Sequence, residues 1–273
     1  MLSRAPVAAA KKTPGSHMTV SKLDVRTDDG VMDVYLHLPP GHPAEDGEPL
    51  PTVIMYPDAF GVRPVTQDMA DRLAALGYAV VLPNVFYRTP DAGPFDGATA
   101  FSDPEVRARL FGVMQKANTT AVMGDTGALL TALDDVPAAS ADKVGTTGYC
   151  MGGRLAFAAA GAHPDRVAAT ASFHGGRLAV EDDPESPHKR AAEVRARLYF
   201  GVADNDGSCT PEDQARLSAA LDAAKVDYRL EVYTGAMHGF AVKDLPVYDE
   251  AAAERHWERT AELFDTTLKA PAA

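Results

Sequence analysis

The chain has 273 residues, with 26 Lys and Arg against 38 Asp and Glu and a formal charge of -12. That balance repels phosphate backbones and anionic lipid surfaces, which argues against nucleic acid or a membrane as partner. The 46% apolar fraction is enough for a large core, and no run approaches the roughly 18 apolar residues of a membrane span.

Two cysteines, Cys150 and Cys209, are too few for a disulfide framework and fit a reducing cytoplasmic setting. Residues 1–18 contain basic residues but no apolar stretch of signal-peptide length. They read as a disordered extension, in which Gly15-Ser16-His17-Met18 resembles the end of an expression tag and Met18 a possible start. Residues 19–273 read as one domain, a monomer or small homo-oligomer.

In chain order, Val20 to Arg26 and Val31 to Leu38 are β-prone and flank Asp28-Asp29-Gly30, a hairpin turn signal. Thr52 to Tyr56 is a short buried-type strand. A helix is expected from Pro64 to Leu76, stopped by Gly77. Ala79 to Leu82 is a strand, and the Pro- and Gly-rich stretch Thr89 to Ser102 is a loop placed to be a lid or pocket wall. Two helices follow Asp103-Pro104. Beyond them come strand Val144 to Tyr149, helix Met151 to Ala162, strands Ala168 to Phe173 and Leu198 to Val202, helix Pro211 to Ala224, strand Tyr228 to Tyr233 and a last helix from Asp249 to Leu268. This alternation after an antiparallel entry pair predicts an α/β fold, a mainly parallel sheet with helices on both faces.

The chemistry-bearing feature is Gly148-Tyr149-Cys150-Met151-Gly152-Gly153, at the junction of a strand and a helix. Its form is that of a nucleophile elbow with cysteine in place of serine. A thiol there meets the positive end of a helix dipole, and the N–H of Met151 is placed to bind an oxyanion. Ala59, in the loop after an earlier strand, is the candidate second donor. A small buried cysteine at a tight turn would give the same string, so the later motifs decide. Strand Leu198 to Val202 ends in Ala203-Asp204-Asn205-Asp206, and strand Tyr228 to Tyr233 leads to Met237-His238-Gly239. The order Cys, Asp, His suits a nucleophile Cys150, a base His238 and an orienting acid, with Asp204 preferred and Asp206 the alternative.

With Tyr56-Pro57-Asp58-Ala59-Phe60-Gly61, Leu82-Pro83-Asn84-Val85-Phe86-Tyr87-Arg88 and Ala236-Met237-His238-Gly239-Phe240 added, the chain resembles the dienelactone hydrolase family over nearly all of Val20 to Leu268. That resemblance implies a cysteine-dependent α/β-hydrolase that opens small esters or lactones through an acyl-thioester, with no cofactor and no metal. It implies that Asp58, where the family has a glutamate, tunes the nucleophile. It also implies that Arg88 holds a substrate carboxylate. Tyr87 and Phe60, with Tyr149, Phe173, His174 and Phe240, flank the motifs and are candidates to line the pocket. The family's second arginine is replaced here by Val242, and Lys243, Arg63 or Arg154 are the cations that could substitute. Two other readings stand beside hydrolysis: a non-catalytic ligand-binding or sensor protein on the same fold, and a redox-sensing thiol with Cys209 as partner.

Overall fold

The computed structural model describes residues 18–42 and 48–269, so most of the expected N-terminal extension lies outside the described residues. Eight strands form one sheet in the order β1-β2-β4-β3-β5-β6-β7-β8. They are β1 Thr19–Thr27, β2 Gly30–Leu38, β3 Leu50–Tyr56, β4 Ala79–Pro83, β5 Ala139–Tyr149, β6 Val167–Phe173, β7 Arg197–Asn205 and β8 Tyr228–Met237. The β1–β2 hairpin is antiparallel and joins β4 in antiparallel fashion, while every pairing from β4 through β8 is parallel.

Among the described residues six α-helices cover the sheet: α1 Pro64–Ala74, α2 Pro104–Lys116, α3 Thr119–Leu133, α4 Met151–Ala162, α5 Pro211–Ala224 and α6 Glu250–Thr267. Side chains of a strand alternate between faces, and the central strands use that alternation to build two cores. Ile54 and Tyr56 of β3 enter one core with Leu110, Val113, Leu129, Phe157 and Leu217 of α2 to α5. Val53 and Met55 enter the other with Leu73 of α1 and Trp257 and Phe264 of α6. Apolar residues on successive positions of β3 are therefore required because both faces are covered.

The helix starts follow local chemistry. Asp103, Asn118, Thr210 and Asp249 accept backbone N–H bonds at the first turns of α2, α3, α5 and α6. Gly77 stops the region of α1 with φ +93, a conformation that side-chain-bearing residues disfavour. The strand ends differ from the sequence expectation. β7 runs to Asn205 rather than Val202, and β8 to Met237 rather than Tyr233. The two keep pairing across a register shift between Ala203 and Asn205, with Asn205 opposite Met237.

Because β3, β5, β7 and β8 are parallel, their carboxyl ends share one edge of the sheet. That edge is where open α/β sheets place their ligand sites. It gathers Asp58, Cys150, Asp206 and His238.

Candidate functional site

The elbow is built by close approach. Cys150 has φ 55 and ψ -118, a strained conformation that the strand before it and the helix after it impose. A Cβ on Gly148 would collide with the carbonyl of Gly152, and a Cβ on Gly152 with the carbonyls of Tyr56 and Pro57, each closer than 3.0 Å. Backbone packs on backbone at both positions, so only glycine fits. Gly152→Ala has to move β3 or α4, and is expected to destabilise the chain by roughly 4 kcal/mol or more. Thermal unfolding of the purified variant checks this, and a melting curve matching the parent would refute it.

α4 begins at Met151, directly after Cys150, and the N–H groups of a first helical turn lack intrahelical partners. The Cys150 carbonyl accepts from the N–H of Gly153 (3.1 Å) and Arg154 (3.3 Å). The Cys150 N–H donates to Phe173 O (3.2 Å) and to Nδ1 of His174 (3.1 Å). His174 Nδ1 is thus an acceptor and Nε2 carries the proton. Burial, reinforced by the neighbouring His238, holds the His174 pKa well below the usual imidazole range. Its ring meets those of His238 and Phe240 edge-on at 5.2 and 5.1 Å. A neutral imidazole therefore braces the backbone of Cys150.

His238 follows β8 by one residue. Its Nδ1 donates to Oδ2 of Asp206 at 2.7 Å, which leaves Nε2 for the thiol. Asp204, the preferred acid in the sequence reading, is exposed, and its Oδ2 accepts from the N–H of Gly235 at 3.0 Å. The correction has a physical cause: β7 continues through Asn205, so Asp204 still belongs to the strand and Asp206 is the first residue beyond it. Asp206 then folds back as a turn acid. Its Oδ1 accepts from the N–H (2.8 Å) and the hydroxyl (2.6 Å) of Ser208, and the Ser208 hydroxyl is 3.1 Å from His238 Nδ1. The Asp206-Gly207-Ser208 string carries that turn signal, and weighing it would have favoured Asp206.

Burial works against the charged form of Asp206, but the His238 and Ser208 donors outweigh it and hold the carboxyl below its ordinary range. Burial also opposes the His238 cation. The hydrogen bonds to Asp206 and Cys150 overcome it and lift His238 to about 10.

A cleft of about 580 Å³ opens above these groups. It is walled by Cys150, Met151, His238, Asp206 and Ser208, by apolar Phe101, Met114 and Leu155, and by Arg154 and Asp183. Phe101 comes from the 89–102 loop, which thus forms part of the wall, and it packs edge-on against Phe60 at 5.7 Å.

The other expected residues fall elsewhere. Met151 lines the cleft; Ala59 is buried in the adjoining loop. Asp58 does not turn to the thiol. Both its oxygens are taken by Arg63 (2.6 and 2.9 Å), and one also accepts the Phe60 N–H. Arg63 in turn binds both oxygens of Asp244 at 2.7 and 2.9 Å.

Arg88 is likewise committed: its guanidinium grips Asp125 at 2.7 and 2.8 Å and Asp29 at 2.7 Å. The Tyr87 hydroxyl donates to Asp125 and meets that of Thr27. Arg88, Tyr87 and Phe60 do not line the cleft, so the expected carboxylate grip by Arg88 is not assembled. A buried carboxylate 37 residues away in sequence and an exposed one 59 residues away capture it. Among the described residues no group of three or more His, Cys, Asp or Glu side chains is placed to hold a metal ion. No described helix is long and apolar enough to cross a membrane.

A parallel sheet sandwiched by helices, with an elbow after its central strand, is the α/β-hydrolase fold. The model of the dienelactone hydrolase family matches residues 32–268, and the chain belongs to that family. A relative from Escherichia coli (strain K12), named "Putative carboxymethylenebutenolidase", is 26% identical over 267 residues, covering 92% of this chain and 93% of the relative. The fold is shared with a dienelactone hydrolase-like promiscuous phosphotriesterase from metagenomic libraries, with TM-score 0.73, 24% identity, 92% of this chain and 98% of that one covered. It is shared also with a dienelactone hydrolase from Anabaena variabilis, with TM-score 0.62, 19% identity, and 93% and 100% covered.

Proposed function

We propose that this chain hydrolyses a small carboxylic ester or lactone through a Cys150–His238–Asp206 triad and an acyl-thioester. The observation that carries the reading is the 2.7 Å bond from His238 Nδ1 to Asp206, beside a cysteine at a strained elbow that walls the same cleft. The names of the relatives, carboxymethylenebutenolidase among them, agree with it.

In the acylation step Cys150 Sγ bonds to the carbonyl carbon while His238, lifted to about 10, holds the proton on Nε2. The oxyanion forms against the Met151 N–H, with the Ala59 N–H as the second donor from the adjoining loop. Collapse breaks the carbon–oxygen ester bond, and the alkoxide takes the proton from Nε2. A water molecule then gives its proton to Nε2 and attacks the thioester, breaking the carbon–sulfur bond, releasing the carboxylic acid and returning Cys150 Sγ with the proton on Nε2. Asp206 fixes the ring and offsets the imidazolium charge throughout, with Ser208 positioning Asp206.

The test is turnover of activated esters and lactones by the parent, Cys150→Ala and His238→Ala. The parent turns over at least one such compound and both variants lose that activity; equal turnover in all three would sink the reading. A tight ligand that is bound but never hydrolysed would favour the binding-protein alternative.

The raised His238 pKa also predicts a pH signature in stability. A histidine lifted from 6.5 to about 10 on folding stabilises the fold fully below pH 6.5. Its contribution shrinks as pH rises and is lost above about 10. The stability gap between the parent and His238→Gln, from urea unfolding, should therefore be widest at acidic pH and close as pH rises. A gap that widens with pH would contradict the pairing.

A further inference from the structure

The charges at the cleft point to a class of substrate. Two guanidinium groups reach it, Arg154 and Arg177, and three carboxylates line it with them, Asp183, Glu185 and Asp206. Asp206 is engaged by His238. Asp183 binds both arginines, Arg154 Nη2 at 3.0 Å and Arg177 Nη2 at 3.1 Å.

Four of the five N–H donors of Arg154 are already taken. Nε donates to the Thr119 hydroxyl (3.1 Å), Nη1 to Arg177 O (3.3 Å), and Nη2 also to Glu185 O (3.2 Å). Its side chain is 12% exposed. Arg177 stands at the rim with its side chain 59% exposed, where water screens it. The other two arginines near the motifs, Arg63 and Arg88, are each held by two carboxylates away from the cleft. The apolar part of the lining is Phe101, Met114, Ala117, Met151 and Leu155. A carboxylate entering there would lose its water for guanidinium groups already paired with Asp183, and would face Glu185 and Asp183; an alkyl or aryl chain would bury apolar area against the apolar part of the lining.

We propose that the site selects neutral esters with an apolar chain and discriminates against substrates carrying a free carboxylate. This rests on the ester-hydrolase reading above. The experiment compares two p-nitrophenyl esters of matched length, the hemiester of glutaric acid and its methyl diester, which masks the charge. The diester should exceed the hemiester in kcat/KM by at least about tenfold at low salt.

Asp183→Asn removes the charge that neutralises Arg154 and Arg177, and should move the ratio toward the hemiester by about tenfold. Should that variant not fold, by circular dichroism, Glu185→Gln reads the same ratio with a smaller shift. Equal or greater turnover of the hemiester by the parent overturns the inference, as does a ratio unmoved in every folded variant. If turnover depends on Cys150 but favours the hemiester, only this inference fails. If neither ester is turned over in a Cys150-dependent way, the hydrolase reading fails and this inference falls with it.

Discussion

An Asp206→Asn variant is expected to lose roughly 10³- to 10⁴-fold in kcat/KM on an activated ester, the scale seen when an orienting acid is made neutral. Asp204→Asn should stay within about twofold of the parent, on the scale of a surface change outside the machinery. The contrast follows from geometry. Asparagine at 206 can present an amide N–H to His238 Nδ1, which would turn the ring to the tautomer with its proton on Nε2, facing the thiol. Asp204 only accepts one backbone N–H from Gly235 at the far side of the strand end. Steady-state kinetics on both variants, beside melting temperatures to show that each is folded, decide it. A large loss in Asp204→Asn with Asp206→Asn unaffected would restore the sequence assignment.

Removing Ser208 is a smaller change of the same kind, because its hydroxyl is one of two donors to Asp206 Oδ1 and the backbone N–H remains.

The near miss at Asp204 shows where the sequence is informative. The elbow was legible because its requirements are local: glycines two before and two after Cys150, a strand before and a helix after. The helix limits of α4 and α5 were legible for the same reason, with a capping residue or elbow at one end and an apolar face inside. The choice between Asp204 and Asp206 depends on how far β7 goes on pairing with β8, across a register shift. No local pattern in β7 encodes its neighbour's length.

The fate of the arginines was less legible still. Arg88 sits in a motif that fits a substrate role, yet Asp125 of α3 and Asp29 of the β1–β2 turn close around it. Arg154, on the helix that follows Cys150, reaches the cleft but is paired with Asp183. Charge pairing between distant elements decides which cations are free, and composition or spacing does not report it. Phe101 was hidden similarly: one of two aromatics in a Pro- and Gly-rich loop, it joins the wall with Phe60 packed edge-on against it.

Asp58 gives the second large effect. Its side chain is 1% exposed and that of Arg63 5% exposed, and the pair is bidentate. Arg63 extends the link to Asp244, in the loop that follows His238, and donates to Gly61 O. One guanidinium thus ties the loop bearing Ala59 to the loop bearing the histidine. Arg63→Ala leaves the Asp58 carboxylate buried without its partner, a change expected to cost about 3–5 kcal/mol. For a chain of this size that lowers the melting temperature by roughly 6–20 °C.

Asp244→Asn should cost under about 1 kcal/mol, because that carboxylate is 42% exposed and its pairing is screened. Arg63→Lys keeps the charge but cannot grip two carboxylates in parallel, and should fall between the two. Urea unfolding of the three variants ranks them, and an Arg63→Ala protein as stable as the parent would show that the buried pair contributes nothing. Activity separates the anchoring role from simple stability. Below its melting temperature Arg63→Ala should lose kcat more than it gains in KM, because the loop bearing Ala59 and the loop bearing His238 are no longer held to one another while the apolar walls of the cleft are untouched.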